Sequence, residues 1–393
     1  MNLLWRTDAL RQARVFFFLP IMLLGPVIVH AAPSSYLVYV GTYTGKGSKG
    51  IYVYRFDPTG GHLSSIGLAA ETPNPSWIAA DAKRRFLYAA NEQQSFNGAK
   101  TGGVSAFGID RATGKLTLLN QVSSLGTDPA HLSLDQSGRY LLVSNYSSGT
   151  IAVFPVRPDG KLGEHTALVQ QAGSSVNKER QQGPHAHYIA STKENRFVLV
   201  ADLGADKIFV YRFNQQDGTL TPNDPASVSV KAGSGPRHLA FSPSEKYAYL
   251  SEELTGTVTV FALDSKTGTL TPKQTISALP KDFKGENTEA EIVVDDSDKF
   301  LYVSNRGDRT NEIDVFRIKP ADGTLTFVQR ISTGGKMPRN FAIDPTGKWL
   351  FAANQDSNNI QVFQIDPASG ELSAMFLIEG IASPTSVIFV PEK

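Results

Sequence analysis

The chain has 393 residues, 38 Lys and Arg against 37 Asp and Glu, and no cysteine. So balanced a charge supplies no basic stripe for a polyanion, and a nucleic-acid partner is not expected. Lack of cysteine excludes disulfides, thiolate nucleophiles and Cys-ligated zinc, so an ordinary apolar core must carry the fold.

Arg6, Arg11 and Arg14 precede an apolar run from Val15 to Val29, and small residues follow at Ala31 and Ala32. This order reads as a secretory signal peptide over residues 1–31, with a periplasmic mature domain over 32–393. A membrane anchor is the alternative. The run carries Pro20, Gly25 and Pro26, however, and is shorter than the ~20 residues a spanning helix needs. No membrane span is therefore expected in the mature chain.

From Tyr36 onward the chain repeats. A proline-led strand, a short turn and a second apolar strand recur as "PSWIAADAKRRFLYAANE", "PAHLSLDQSGRYLLVSNY", "PHAHYIASTKENRFVLVADL", "PRHLAFSPSEKYAYLSEEL", "EAEIVVDDSDKFLYVSNR" and "PRNFAIDPTGKWLFAANQ". Each is followed by an alternating strand and a turn ending in Gly-x-Leu, as in "VTVFALDSKTGTL". Alternation broken by Gly, Asp, Asn and Pro means short strands joined by tight turns. Four strands per unit at a period of roughly 50 residues predict the blade of a β-propeller. The third copy runs two residues longer from Pro184 to Asp202, which reads as a longer turn around Lys193 and Glu194. The chain begins mid-blade at "YLVYVGTYT" and ends on the missing strand, "SPTSVIFVPEK". Pairing these segments in one blade closes a seven-bladed, all-β ring of four-stranded antiparallel sheets and removes two open edges.

Aligned copies separate frame from payload. The position after the leading proline runs Ser76, Ala130, His185, Arg237, Ala290, Arg339, Thr385, and the next runs Trp77, His131, Ala186, His238, Glu291, Asn340, Ser386. At the end of the second strand stand Gly41, Asn91, Asn145, Asp202, Glu252, Asn305 and Asn354, followed by Thr42, Glu92, Tyr146, Leu203, Glu253, Arg306 and Gln355. The recurrent Asn reads as a structural residue bonding turn backbone. Both columns lie at one mouth of the central channel, because adjacent strands run antiparallel. Arginine is usually a surface residue, but Arg237 sits between Pro236 and the apolar "HLAF", where a solvated charge is out of place. The pair His185 and His187 has the spacing of two imidazole ligands, yet its third ligand would have to come from another blade. No metal or cofactor is expected. "DDSD" at 295–298 occupies a hairpin turn, "NYS" at 145–147 falls in the frame column, and neither a P-loop nor a G-x-S-x-G elbow is present.

"YVGTYT", "GPHAH", "GPRHLAFSP", "EIVVDDSDKFLYVSNRG" and "MPRNFAID" together resemble the seven-bladed lactonase family. That family includes propeller-type 6-phosphogluconolactonases and fungal 3-carboxy-muconate lactonising enzymes. The resemblance implies His185, Arg237, Glu253 and Arg306 as the catalytic set. It favours Glu253 over Glu252, because the family pattern is Asn-Glu-Leu where this chain has Glu252, Glu253 and Leu254. Arg339, His187, His238, Glu291 and Asn340 are expected to contact substrate.

Lactone opening needs an activated water and a stabilised oxyanion. Arginines beside a carboxylate keep it ionised and make it a weak base, which tilts the base role from Glu253 to His185. Export points to unphosphorylated glucono-1,5-lactone as substrate, with 6-phosphogluconolactone as runner-up. A muconate-type lactonising reaction and a non-catalytic binding propeller are the further alternatives. A binding rim should carry exposed aromatics, whereas Trp77 is the only indole in the columns. The ring is expected to be a monomer or weak homodimer.

Overall fold

The second strand of each repeat is apolar on both faces, as in Tyr140–Asn145, where all six residues are buried. A strand can be so only if its sheet is covered on each side. The fourth strands, such as Leu372–Glu379, alternate exposed and half-buried residues and so belong at the periphery. A computed structural model, which describes residues 35–45 and 47–392, meets both demands. The described residues form twenty-eight strands in seven four-stranded sheets. The expected signal peptide lies outside the described residues. Among them, no helix is long and apolar enough to cross a membrane.

Blades 1 to 6 begin at the inner strands Pro75–Ala80, Pro129–Leu134, Ala186–Ser191, Pro236–Phe241, Thr288–Val294 and Pro338–Ile343. Blade 7 begins at Pro384–Pro391, which pairs antiparallel with Tyr36–Thr42, from Tyr36 opposite Pro391 to Thr42 opposite Pro384. The ring is closed by its two ends, as the repeat phase predicted.

The core lies between blades. Phe197, Leu199 and Ala201 of blade 3 pack with Leu250, Phe261 and Leu263 of blade 4, and similar clusters fill the other junctions. The repeat's Gly-x-Leu turn is a lock between neighbours. Gly370 of blade 6 has a left-handed φ of +79°, and a Cβ there would clash with the Phe300 ring of blade 5. Gly323 and Gly268 meet Tyr247 and Phe197 in the same way. The Tyr302 hydroxyl then donates to the Gly370 carbonyl at 2.9 Å. The frame asparagines also act as expected: the Asn145 and Asn354 side chains donate to the Ser124 and Thr333 carbonyls of the incoming connections at 2.9 and 2.8 Å.

Two expected alignments are corrected by the register. The turn in blade 3 is no longer than the others, since Asn195 N–H bonds the Thr192 carbonyl just as Gly138 bonds Asp135. Ala186, and not Pro184, pairs with the strand-ending residue Asp202, in the place that Pro236 takes opposite Glu252. The extra residues therefore precede the strand, which puts His187 beside Arg237 in its column and Tyr188 beside His238. In blade 7 the pairing of Thr42 with Pro384 moves the columns one residue on, from Gly41 and Thr42 to Thr42 and Tyr43.

Gly370→Ala combines a left-handed backbone with an aromatic clash, and should destabilise the fold by about 2 kcal/mol or more. Urea unfolding measures it; an unchanged midpoint would show that the Gly–aromatic lock does not hold the blades together.

Candidate active site

A bulge sits near the start of the inner strands, for instance between Pro75 and Trp77, Ala186 and Tyr188, and Pro338 and Asn340. Bulges re-aim side chains, and here consecutive residues reach the channel. His238 of blade 4 meets the rings of Trp77, His131 and His187 from blades 1, 2 and 3, at 5.1, 5.4 and 5.1 Å between centroids. The channel therefore carries stacked tiers: a rim that includes Tyr43, Glu92, Tyr146, Glu253 and Arg306, a bulge tier that includes His187, Arg237 and Arg339, and an inner tier that includes Trp77, His131, Tyr188, His238, Glu291 and Asn340.

Glu253 is the hub of the rim. Its carboxylate accepts from Arg237 Nε at 2.9 Å and from an Arg180 Nη at 2.7 Å, and an Arg306 Nη lies at 3.3 Å. Burial alone would push the Glu253 carboxyl up, but Arg306, Arg237 and Arg180 outweigh it and hold the group at about 2. Arg237 is only 1% exposed, so its charge depends on this carboxylate. Burial and the neighbouring Arg237 push Arg306 down to about 9, which leaves it charged near neutrality. Glu252 turns away and accepts from the Thr259 hydroxyl at 3.0 Å. Glu253 lies just past the strand, its N–H bonded to the Gly235 carbonyl, and so faces the mouth.

His185 stacks on Tyr146 at 4.6 Å between centroids and 17° between planes. Its Nδ1 lies 3.0 Å from the Tyr146 carbonyl, an acceptor only, so Nδ1 carries the proton and Nε2 of the neutral ring keeps a lone pair. Asp202 fixes the backbone here, accepting the His185 N–H at 2.8 Å. Arg339 lies over the Tyr43 ring at 5.2 Å and pairs with Glu92 at 3.3 Å. His187 packs edge-on against Tyr146 at 5.4 Å, so the two imidazoles of the H-x-H pair flank one phenol.

Of the expected substrate contacts, Arg339 reaches the rim. His238, Glu291 and Asn340 instead bond one another below it: His238 Nδ1 lies 3.2 Å from a Glu291 oxygen, and Asn340 donates to the other at 2.6 Å. A cavity of about 930 Å³ opens at the opposite mouth and runs from Trp77, His131 and Tyr188 to the turn residues Asp135, Asp295 and Asp344. The inner tier separates it from the Glu253 cluster. The arginine and glutamate cluster, and with it the candidate site, lies at the rim and not in this cavity.

Sequence reasoning missed Arg180, Tyr43, Tyr146 and Glu92 as site residues. Glu92 and Tyr146 stood in the Glu253 column, so their position was visible. Arg180 lies on the connection after Ala167–Gln170, outside the repeat, where no column could reveal it. Four guanidiniums (Arg180, Arg237, Arg306 and Arg339) pair with two carboxylates at the rim (Glu92 and Glu253), so cations outnumber anions there, with Glu291 acting on Arg237 from the tier below.

The depressed Glu253 value links the site to stability. Its folded value lies below the usual carboxylate range of about 4, so its contribution is complete above that range and is lost as pH falls towards about 2. Glu253→Gln should lower stability at pH 7 by roughly 3–5 kcal/mol, since it strands buried guanidiniums. The difference from the parent protein should shrink as pH falls from 4 to 2. Urea midpoints across that range check this, and a constant difference would contradict the ion-pair account.

Residues 37–389 match the family model described as lactonase, 7-bladed beta-propeller. The 6-phosphogluconolactonase of Bacillus subtilis is 37% identical over 357 residues, covering 91% of this chain and 99% of that protein. Among solved structures, the periplasmic gluconolactonase of Pseudomonas aeruginosa is 38% identical with a TM-score of 0.85, over 91% of this chain and 99% of its own. A putative 6-phosphogluconolactonase of Bacteroides fragilis is 36% identical with a TM-score of 0.84, over 91% and 98%. With the family match and the closed seven-bladed fold in agreement, this chain belongs to the seven-bladed β-propeller lactonase family.

Proposed function

We propose that the protein hydrolyses a sugar δ-lactone in the periplasm, with glucono-1,5-lactone as substrate and gluconate as product. The observation that carries this reading is the His185 ring, stacked on Tyr146 with Nδ1 at 3.0 Å from the Tyr146 carbonyl, while the Tyr146 hydroxyl accepts from Arg180 of the guanidinium cluster at 3.1 Å. His185 Nε2 takes a proton from water as the water oxygen bonds to the lactone carbonyl carbon. Arg237 and Arg306 stabilise the resulting oxyanion, which costs no reorganisation because Glu253 already holds them. The carbonyl carbon–ring oxygen bond then breaks, and the imidazolium returns its proton to the departing ring oxygen. Glu253, ionised down to about 2, is too weak a base for the first step and positions the arginines instead. The periplasmic location rests on the leader read in residues 1–31 and on the gluconolactonase relative.

One observation favours a second reading, 6-phosphogluconolactone. The two rim guanidiniums in excess over carboxylates suit an anionic substituent, and Arg forks suit phosphate.

Purified protein assayed on both lactones, with spontaneous hydrolysis subtracted, decides between them by kcat/KM. His185→Ala and Arg237→Ala should each lower kcat/KM by about 100-fold or more; full activity in both would place the chemistry elsewhere. Arg180 is half-exposed, with 38% of its side chain accessible, and lies at the solvent side of Glu253. Arg180→Ala should raise KM for the preferred lactone several-fold and leave the thermal midpoint nearly unchanged. A fall in kcat at constant KM would instead make Arg180 part of the oxyanion site.

A further inference from the structure

Directly below the rim, three neighbouring side chains each leave one buried polar atom without a protein partner: Arg237 Nη1, His187 Nδ1 and His238 Nε2. The two imidazoles meet edge to face at 5.1 Å between centroids, and Arg237 is next to His238 in the chain. Native proteins rarely leave such atoms unsatisfied, because each costs about 1–3 kcal/mol. Three polar partners are what a buried water typically engages.

The far side of His238 is tightly specified. The Glu291 carboxylate faces His238 Nδ1 at 3.2 Å and accepts from Ile292 N–H at 3.1 Å and from Asn340 at 2.6 Å. The Asn340 side-chain Oδ1 in turn accepts Val387 N–H at 3.0 Å, so the chain of bonds runs across blades 4, 5, 6 and 7. With the backbone and Asn340 donating to Glu291, His238 Nδ1–H completes the set and His238 Nε2 is left as an acceptor. Arg237 Nη1–H is a donor. One water between them satisfies both.

We propose that Arg237 Nη1, His187 Nδ1 and His238 Nε2 enclose a single buried water, and that through it His238 positions the Arg237 guanidinium. His238 is thus a positioning residue: it touches no substrate and acts through Arg237. The kinetic part of the proposal rests on the lactonase reading; the water itself does not.

Two near-isosteres separate this role from a merely structural one. In His238→Gln the amide extends to the place of Nε2 and can hold the water. In His238→Asn the amide reaches only the place of Nδ1, keeping the bond to Glu291 and losing the water. The Gln variant should keep kcat within about threefold of the parent, whereas the Asn variant should lose about 10- to 100-fold in kcat at unchanged KM. Thermal midpoints should not follow that order. Equal kcat in the two variants, the reverse order, or a loss that tracks the midpoints overturns the positioning role. A high-resolution crystal structure of the parent tests the site independently of activity. A density peak within hydrogen-bonding distance of all three atoms is expected, and an empty gap overturns the proposal even if lactones are hydrolysed.

Discussion

Everything at the rim follows from one buried carboxylate. Burying Arg237 and Arg306 without compensation would cost several kcal/mol per ion. Glu253 makes the burial tolerable, and in doing so fixes the guanidinium forks before any substrate arrives. The same attraction that holds the cations suppresses the basicity of the carboxylate, so the proposed mechanism assigns proton transfer to His185. The partner of that ring is a backbone carbonyl, which sets the tautomer without adding charge. Position and reactivity are thereby divided between two residues from neighbouring blades.

The propeller makes this division possible because each blade delivers its channel residues at the same height. The bulge in the inner strand turns consecutive positions towards the axis, and the frame residue at the end of the second strand fixes the connection that precedes it. What differs from blade to blade is only the side chain placed there. Small residues such as Ser76, Ala130 and Ala290 leave the space into which Arg237, Arg339 and His187 extend. Beneath them the inner tier closes the channel, so the opening with the arginines and the wide cavity beyond are separate compartments.

Much of this was legible in the sequence, because a repeat reports its own geometry. Blade number, ring closure and the grouping of Arg237, Glu253 and Arg306 at one opening all follow from copies in register. The errors have physical causes. In blade 3 a proline two residues upstream imitates the usual leading position, so His185 was given the slot that His187 fills; only strand pairing reveals the shift. In blade 7 the paired strands come from distant parts of the sequence, so no hairpin length fixes their register, and only the pairing of Thr42 with Pro384 shows that Tyr43 belongs in the column. The choice between Glu252 and Glu253 needed the strand's end point, which alternation alone cannot supply. Arg180 comes from an irregular connection whose path is set by contacts such as that of the buried Gln181 side chain with the Leu203 carbonyl, and it left no periodic trace.

The pairing of Tyr36–Thr42 with Pro384–Pro391 has a temporal side. During synthesis the earliest strand waits without its neighbour until nearly the whole polypeptide has been made, and the sheet that unites both termini is the last to be completed. Intermediates therefore carry two open borders able to recruit foreign strands, and their lifetime is governed by the slow search for a contact separated by most of the chain. The circular architecture gains durability once joined, at the expense of a vulnerable interval before it is.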